Sequence, residues 1–143
     1  MQYIYRAILE TDPDGGFLVT FPDVPGAITH GASRADALAS AREALGLALR
    51  GIIAQDGALP QSRATEAGLV EIAVDPTTAL KLAVIEAFAA SGLSKSELAR
   101  RLGRQETEAR RILDPDHPTK LALIEAALAV LGREIVVSVR EAA

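Results

Sequence analysis

The spacing of apolar positions changes twice along the chain. Up to residue 30 they fall in short runs bounded by Gly, Pro and Asp, a pattern that predicts strands. Tyr3 to Glu10 is the first, Phe17 to Phe21 the second and Ala27 to His30 a short third. Asp12-Pro13-Asp14-Gly15-Gly16 joins the first two as a hairpin, because proline fixes φ, aspartate bonds nearby backbone and glycine tolerates positive φ. Ser33 then offers an N-cap, with Asp36 three residues on. From there Ala37, Leu38, Ala41, Leu45, Ala48, Leu49, Ile52 and Ile53 recur at helical spacing, predicting one long helix to about Gln55. Asp56-Gly57 stops it. Leu59-Pro60 leads through a polar stretch to a fourth strand, Leu69 to Val74, with Val70, Ile72 and Val74 on one face.

Asp75-Pro76-Thr77 marks a boundary, since proline breaks strand pairing and Thr77 can cap a following helix. Beyond it the pattern is helical over Thr78 to Ala90, Lys95 to Leu102, Gln105 to Leu113 and Thr119 to Leu131. An alternating run, Ile135-Val136-Val137-Ser138-Val139, predicts a closing strand with no partner in its own half. A second copy of the chain is the simplest candidate to pair with it. The expectation is an α+β protein: residues 1–75 as one domain and 76–143 as a mainly helical second domain.

Composition narrows the chemistry. The 143 residues include no cysteine, which removes disulfides, thiolate nucleophiles and zinc–thiolate sites and fits a cytoplasmic setting. The most apolar segment, Leu121 to Leu131, is interrupted by Glu125 and too short for a bilayer, so no membrane role is expected. The net charge of -4 divides unevenly: residues 1–76 hold five basic against ten acidic side chains, residues 77–143 ten against nine. The halves should therefore face different partners.

Gly92 to Gly103 carries the most information. Ser94 caps a short helix, Glu97 takes the capping-box position, and Leu98, Ala99 and Leu102 form the buried face. The small Ala99 lets a second helix cross closely, and Gly103 permits the tight turn. In the next helix Ala109, Ile112 and Leu113 face inward, and Asp114-Pro115 ends it. This is the layout of a helix-turn-helix, whose second helix meets base edges while the first helix and its flanks hold phosphate. The candidate DNA-binding residues are Ser94, Lys95, Ser96, Arg104, Gln105, Thr107, Arg110 and Arg111. Between Lys95 and Arg111 six basic residues stand against three acidic ones.

The chain as a whole resembles the HicB antitoxin family, in the variant with a helix-turn-helix tail. The likeness rests on Asp12-Pro13-Asp14-Gly15-Gly16-Phe17, Phe21-Pro22-Asp23-Val24-Pro25-Gly26, Thr29-His30-Gly31, the Ala-rich helix from Ala35 and Leu59-Pro60. In the second half it rests on Leu93 to Gly103, Arg111-Ile112-Leu113-Asp114-Pro115 and the closing helix and strand. The resemblance implies a partial ribonuclease-H-like fold at the N-terminus and a HicA-type, messenger-RNA-cleaving toxin as partner. It further implies repression of the operon through double-stranded operator DNA bound by a homodimer or higher homo-oligomer.

A ribonuclease-H-like fold raises the question of nuclease chemistry, which needs carboxylates converging on metal ions. Asp12, Asp14 and Asp23 sit beside Gly and Pro as turn formers, and Glu10 and Glu71 occupy outward strand positions. His30 ends a strand, His117 lies in the Asp114 to Pro118 turn, and neither accompanies a nucleophile motif. No catalytic residue, metal or cofactor is expected. The competing reading is a DNA-binding regulator whose N-terminal half senses a small molecule.

Overall fold

The computed structural model describes all 143 residues and divides into two compact units, Met1–Asp75 with Ala142–Ala143, and Pro76–Glu141. The first holds strands β1 (Ile4–Thr11), β2 (Phe17–Thr20) and β3 (Ile28–Gly31), helix α1 (Arg34–Ala54) and strand β4 (Val70–Ala73). The second holds α2 (Pro76–Ser91), α3 (Lys95–Leu102), α4 (Glu106–Ile112) and α5 (Leu121–Val130). The protein is α+β, in the order strand, strand, strand, helix, strand and then helices.

In the first unit the strands form one antiparallel sheet in the order β3-β2-β1-β4. Register fixes its two faces: Leu9 lies opposite Val19 and Tyr5 opposite Ile72, so Tyr5, Ala7, Val19 and Ile72 share the buried side. Helix α1 covers that side with Ala37, Ala41, Leu45 and Leu49, all fully buried. Burying each leucine stabilises the unit by roughly 1.5–3 kcal/mol. Alternation puts Ile4, Arg6, Ile8, Leu18, Ile28 and Glu71 on the other side, which no helix of this unit covers. Ser33 caps α1 by accepting a hydrogen bond from the Asp36 N–H at 3.1 Å.

The segment between α1 and β4 has no regular structure but is tied down at three points. Tyr5 donates to the Pro60 carbonyl at 2.6 Å, and Arg6 donates to that of Ala64 at 2.5 Å. The Asp23 carboxylate accepts from the N–H groups of Arg63 and Ala64 at 2.8 and 2.9 Å. Asp23 therefore anchors a loop forty residues away, a role its setting among turn residues does not announce.

In the second unit Val84, Ala87, Ile112, Ile124, Ala127 and Leu128 form the core, with Leu98, Ala99 and Ala109 as an adjoining cluster. The start of α2 and the closing strand depart from the sequence expectation. Helix α2 begins at Pro76 rather than beyond a Thr77 cap, because proline's missing N–H costs nothing at the first helical position. The strand expected at Ile135 to Val139 does not form in the single chain. Ile135 packs on the α2/α5 core, while Val136, Val137 and Val139 are 82%, 80% and 90% exposed. A strand exists only with a ladder partner, and an all-helical unit supplies none. No helix of the protein is long and apolar enough to cross a membrane.

Candidate nucleic-acid interface

Helices α3 and α4 meet through small buried residues. Leu98, Ala99 and Ala109 are buried together, with Leu102, Leu113 and Phe88 packed around them. Gly103 ends α3 at φ +65, a left-handed conformation in which a side chain would be strained. The N–H of Arg104 then returns to the Ala99 carbonyl at 2.9 Å, closing the turn. Arg104 follows directly and its side chain is exposed, so a long cation is accommodated there without entering the turn.

The N-terminal caps of the two helices differ. Ser94 accepts a hydrogen bond from the Glu97 N–H at 3.1 Å, whereas Gln105 caps α4 with no side-chain bond. The reciprocal half of the expected capping box is replaced: Glu97 turns its carboxylate to Arg100 and Arg101 instead. Those two guanidinium groups hold the Glu97 carboxyl below the usual carboxylate range.

Ser94, Lys95, Ser96, Arg104, Gln105, Thr107, Arg110 and Arg111 are all exposed. They lie at the start of α3, in the turn and along the outer side of α4, the parts of such a unit that can reach a duplex. Acidic neighbours engage some of the cations. Arg104 lies 3.8 Å from Glu108, and Arg110 lies 3.0 Å from Glu106. Glu106 is held below the usual range first by Arg110, then by Ser96, with a further contribution from Lys95. An internal carboxylate thus occupies the corner where the start of α3 approaches the start of α4. The Glu106–Arg110 pair is exposed and screened by solvent. Lys95 and Arg111 make no ion pair within 4 Å.

Sequence reasoning passed over the residue that fixes the far end of α4. Lys81 on α2 is 3% exposed, and its ammonium donates to the carbonyls of Arg111 and Ile112, both at 2.9 Å, and to Thr119 Oγ1 at 2.6 Å. These carbonyls are among those a helix end leaves without an internal partner, and a cation there also complements the helix dipole. Burial lowers its pKa to about 8, partly opposed by the charge of Asp114. A signal was present: Lys81 stands three residues after buried Thr78 and three before buried Val84, on the inward stripe of α2. His117, in the turn after α4, is exposed. No group of three or more His, Asp or Glu side chains is placed to hold a metal ion.

The family model described as HicB_like antitoxin of bacterial toxin-antitoxin system matches residues 5–79. Antitoxin HicB of Escherichia coli (strain K12) is 31% identical over 131 residues, covering 92% of this chain and 95% of that protein. Antitoxin HicB 1 of Photorhabdus laumondii subsp. laumondii is 31% identical over 135 residues, covering 94% and 86%. Antitoxin HicB 2 of the same organism is 34% identical over 120 residues, covering 84% and 85%. The likeness to these relatives runs through both units.

Proposed function

The chain belongs to the HicB-like antitoxins of bacterial toxin–antitoxin systems, and on that premise we propose that it neutralises a HicA-type toxin and represses its own operon by binding operator DNA as a homodimer. The toxin, a protein that acts on RNA and is expected to be basic, is steered to the first unit, where ten acidic residues face five basic ones over positions 1–76. Residues 76–143 bind DNA and bring two copies together. No catalysis is assigned to the chain, and its place of action is the cytoplasm.

The observation that carries the DNA reading is the exposed arc of Lys95, Ser96, Gln105, Thr107, Arg110 and Arg111 on two helices locked together by Leu98, Ala99 and Ala109. Lys95 and Ser96 hold phosphate, and α4 lies in the major groove. Two such units in a dimer span half-sites about 34 Å apart.

Titrating the upstream DNA with full-length protein at several salt concentrations tests this. Lys95→Ala should weaken binding to every sequence and reduce the salt slope by about one. Arg110→Ala should instead relax discrimination between operator and unrelated DNA. Glu106→Gln, which removes the competing internal anion, should strengthen binding by about two- to fivefold. Parent-like behaviour of all three variants would reduce the helix-turn-helix to a structural element. Co-expression with the small protein encoded next to this gene tests the toxin arm: growth should be rescued and the two proteins should purify together. Independent purification without rescue would remove that arm.

A further inference from the structure

The segment from Arg133 to Glu141 closes the second unit. Written out, it is Arg-Glu-Ile-Val-Val-Ser-Val-Arg-Glu, with two charges on each side of a five-residue centre. We propose that two copies of this segment pair as an antiparallel two-stranded ribbon centred on Val137, with Arg133 opposite Glu141 and Glu134 opposite Arg140 of the second copy. The inference rests on the homodimer reading above and specifies its register.

Charge selects this register. Opposite charges directly across an antiparallel pair stabilise it, and like charges destabilise it. A shift of one residue toward the N-terminus sets Arg133 against Arg140, and the opposite shift sets Glu134 against Glu141. Parallel in-register pairing sets all four charged residues against their own kind. Shifts of two residues in either direction leave every one of the four charged residues opposite an uncharged one, such as Ser138, Gly132 or Ala142. Only the register centred on Val137 satisfies all four, and two-fold symmetry repeats every pair.

The apolar pattern selects it as well. Residues directly opposite each other in an antiparallel pair share a face. Centring on Val137 sets Ile135 against Val139, which gathers Ile135, Val137 and Val139 of both copies on one side. Val136 and Ser138 lie opposite each other on the other side, with the Glu134–Arg140 pairs. Ile135 already packs against the core of its own unit, so the apolar side of the ribbon is continuous with that core. Val139 of the second copy is delivered beside Ile135, covering side chains that are 80% and 90% exposed at Val137 and Val139 of the single chain. A one-residue shift would instead turn one copy's apolar side to solvent.

The absence of cysteine makes the test direct. Single-cysteine versions of the full chain, V136C, V137C and S138C, are oxidised and the linked fraction is followed on non-reducing gels. V137C should link to itself, because its Cα–Cα separation is about 4.5–5.5 Å, within reach of a disulfide. V136C and S138C should each self-link at least tenfold more slowly, since each faces its own copy only diagonally, about 7–8 Å away. Mixed together, V136C and S138C should link to each other. E134R should weaken the dimer by about tenfold, and adding R140E should restore it.

Sedimentation of the parent protein separates the two failures. A dimer whose fastest self-linking position is Val136 or Ser138, or that links at none of the three, overturns the register and leaves the dimer standing. A dimer that E134R does not weaken overturns the register as well. A monomer at all concentrations removes the dimer and the ribbon together.

Discussion

Gly31→Ala is expected to cost the N-terminal unit about 3 kcal/mol, at the upper end of what over-packing a core produces. Gly31 closes β3, opposite Phe17, and the first turn of α1 lies directly on it. A methyl group there would sit 2.5 Å from the Cα of Ala37 and 2.8 Å from the carbonyl carbon of Asp36. Those atoms are backbone, so no side-chain rotation relieves the clash. That backbone is also fixed, because Ser33 caps the turn through both its side chain and its carbonyl. Relief would require lifting α1 from the sheet, which uncovers Ala37, Ala41, Leu45 and Leu49. Gly26 is the matched control: a methyl there meets nothing within 4 Å, and Gly26→Ala should change stability by less than about 0.5 kcal/mol. Urea unfolding followed by circular dichroism measures both, and a G31A midpoint equal to that of G26A would refute the steric account.

The second large effect is expected at Lys81. Lys81→Ala removes three hydrogen bonds from a buried ammonium, leaves the Arg111 and Ile112 carbonyls without that donor and opens a gap along the lysine stem. The loss should be about 3 kcal/mol, and under the proposed function DNA affinity should fall with it because α4 is no longer pinned at its C-terminus. Lys81→Met keeps most of the stem volume and isolates the polar part. The pH dependence has a definite sign. With the folded pKa lowered to about 8 from the ordinary 10.5, the unfolded chain binds more protons between those values. Native stability of the parent should therefore rise relative to K81M as pH climbs from about 8 to 10.5. Thermal unfolding of the two proteins across that range reads the difference directly. A difference that stayed constant, or moved toward K81M, would show that burial does not set the lysine's proton affinity.

The two residues differ in how far the sequence discloses them. Gly31 stands in the Thr29-His30-Gly31 signature that carries the family resemblance, yet only the approach of α1 explains why a side chain is excluded there. Lys81 falls on the inward stripe of α2, where periodicity alone would place an apolar residue. What makes a cation tolerable is a set of acceptors thirty to thirty-eight residues away in sequence. Asp23 behaves likewise: its neighbours advertise a turn, and its carboxylate instead holds Arg63 and Ala64.

Local chemistry was enough for most of the architecture. Helix α1 follows from a Ser33 cap and a long run of apolar residues at helical spacing, and the turn between α3 and α4 follows from Ala99 and Gly103. These features depend on residues within a few positions of one another, so the sequence determines them by itself. The exposure of Lys95, Ser96, Gln105, Thr107, Arg110 and Arg111 was legible for the same reason, because exposure on a short helix follows from the position of its buried stripe. The tertiary structure decided everything that depends on distant partners: the sheet order, the loop anchors, the buried lysine, and Glu106 beside Ser96. It also left the Ile135 to Val139 strand unformed in the single chain, because pairing energy exists only where a second strand is present and the second unit has none to offer.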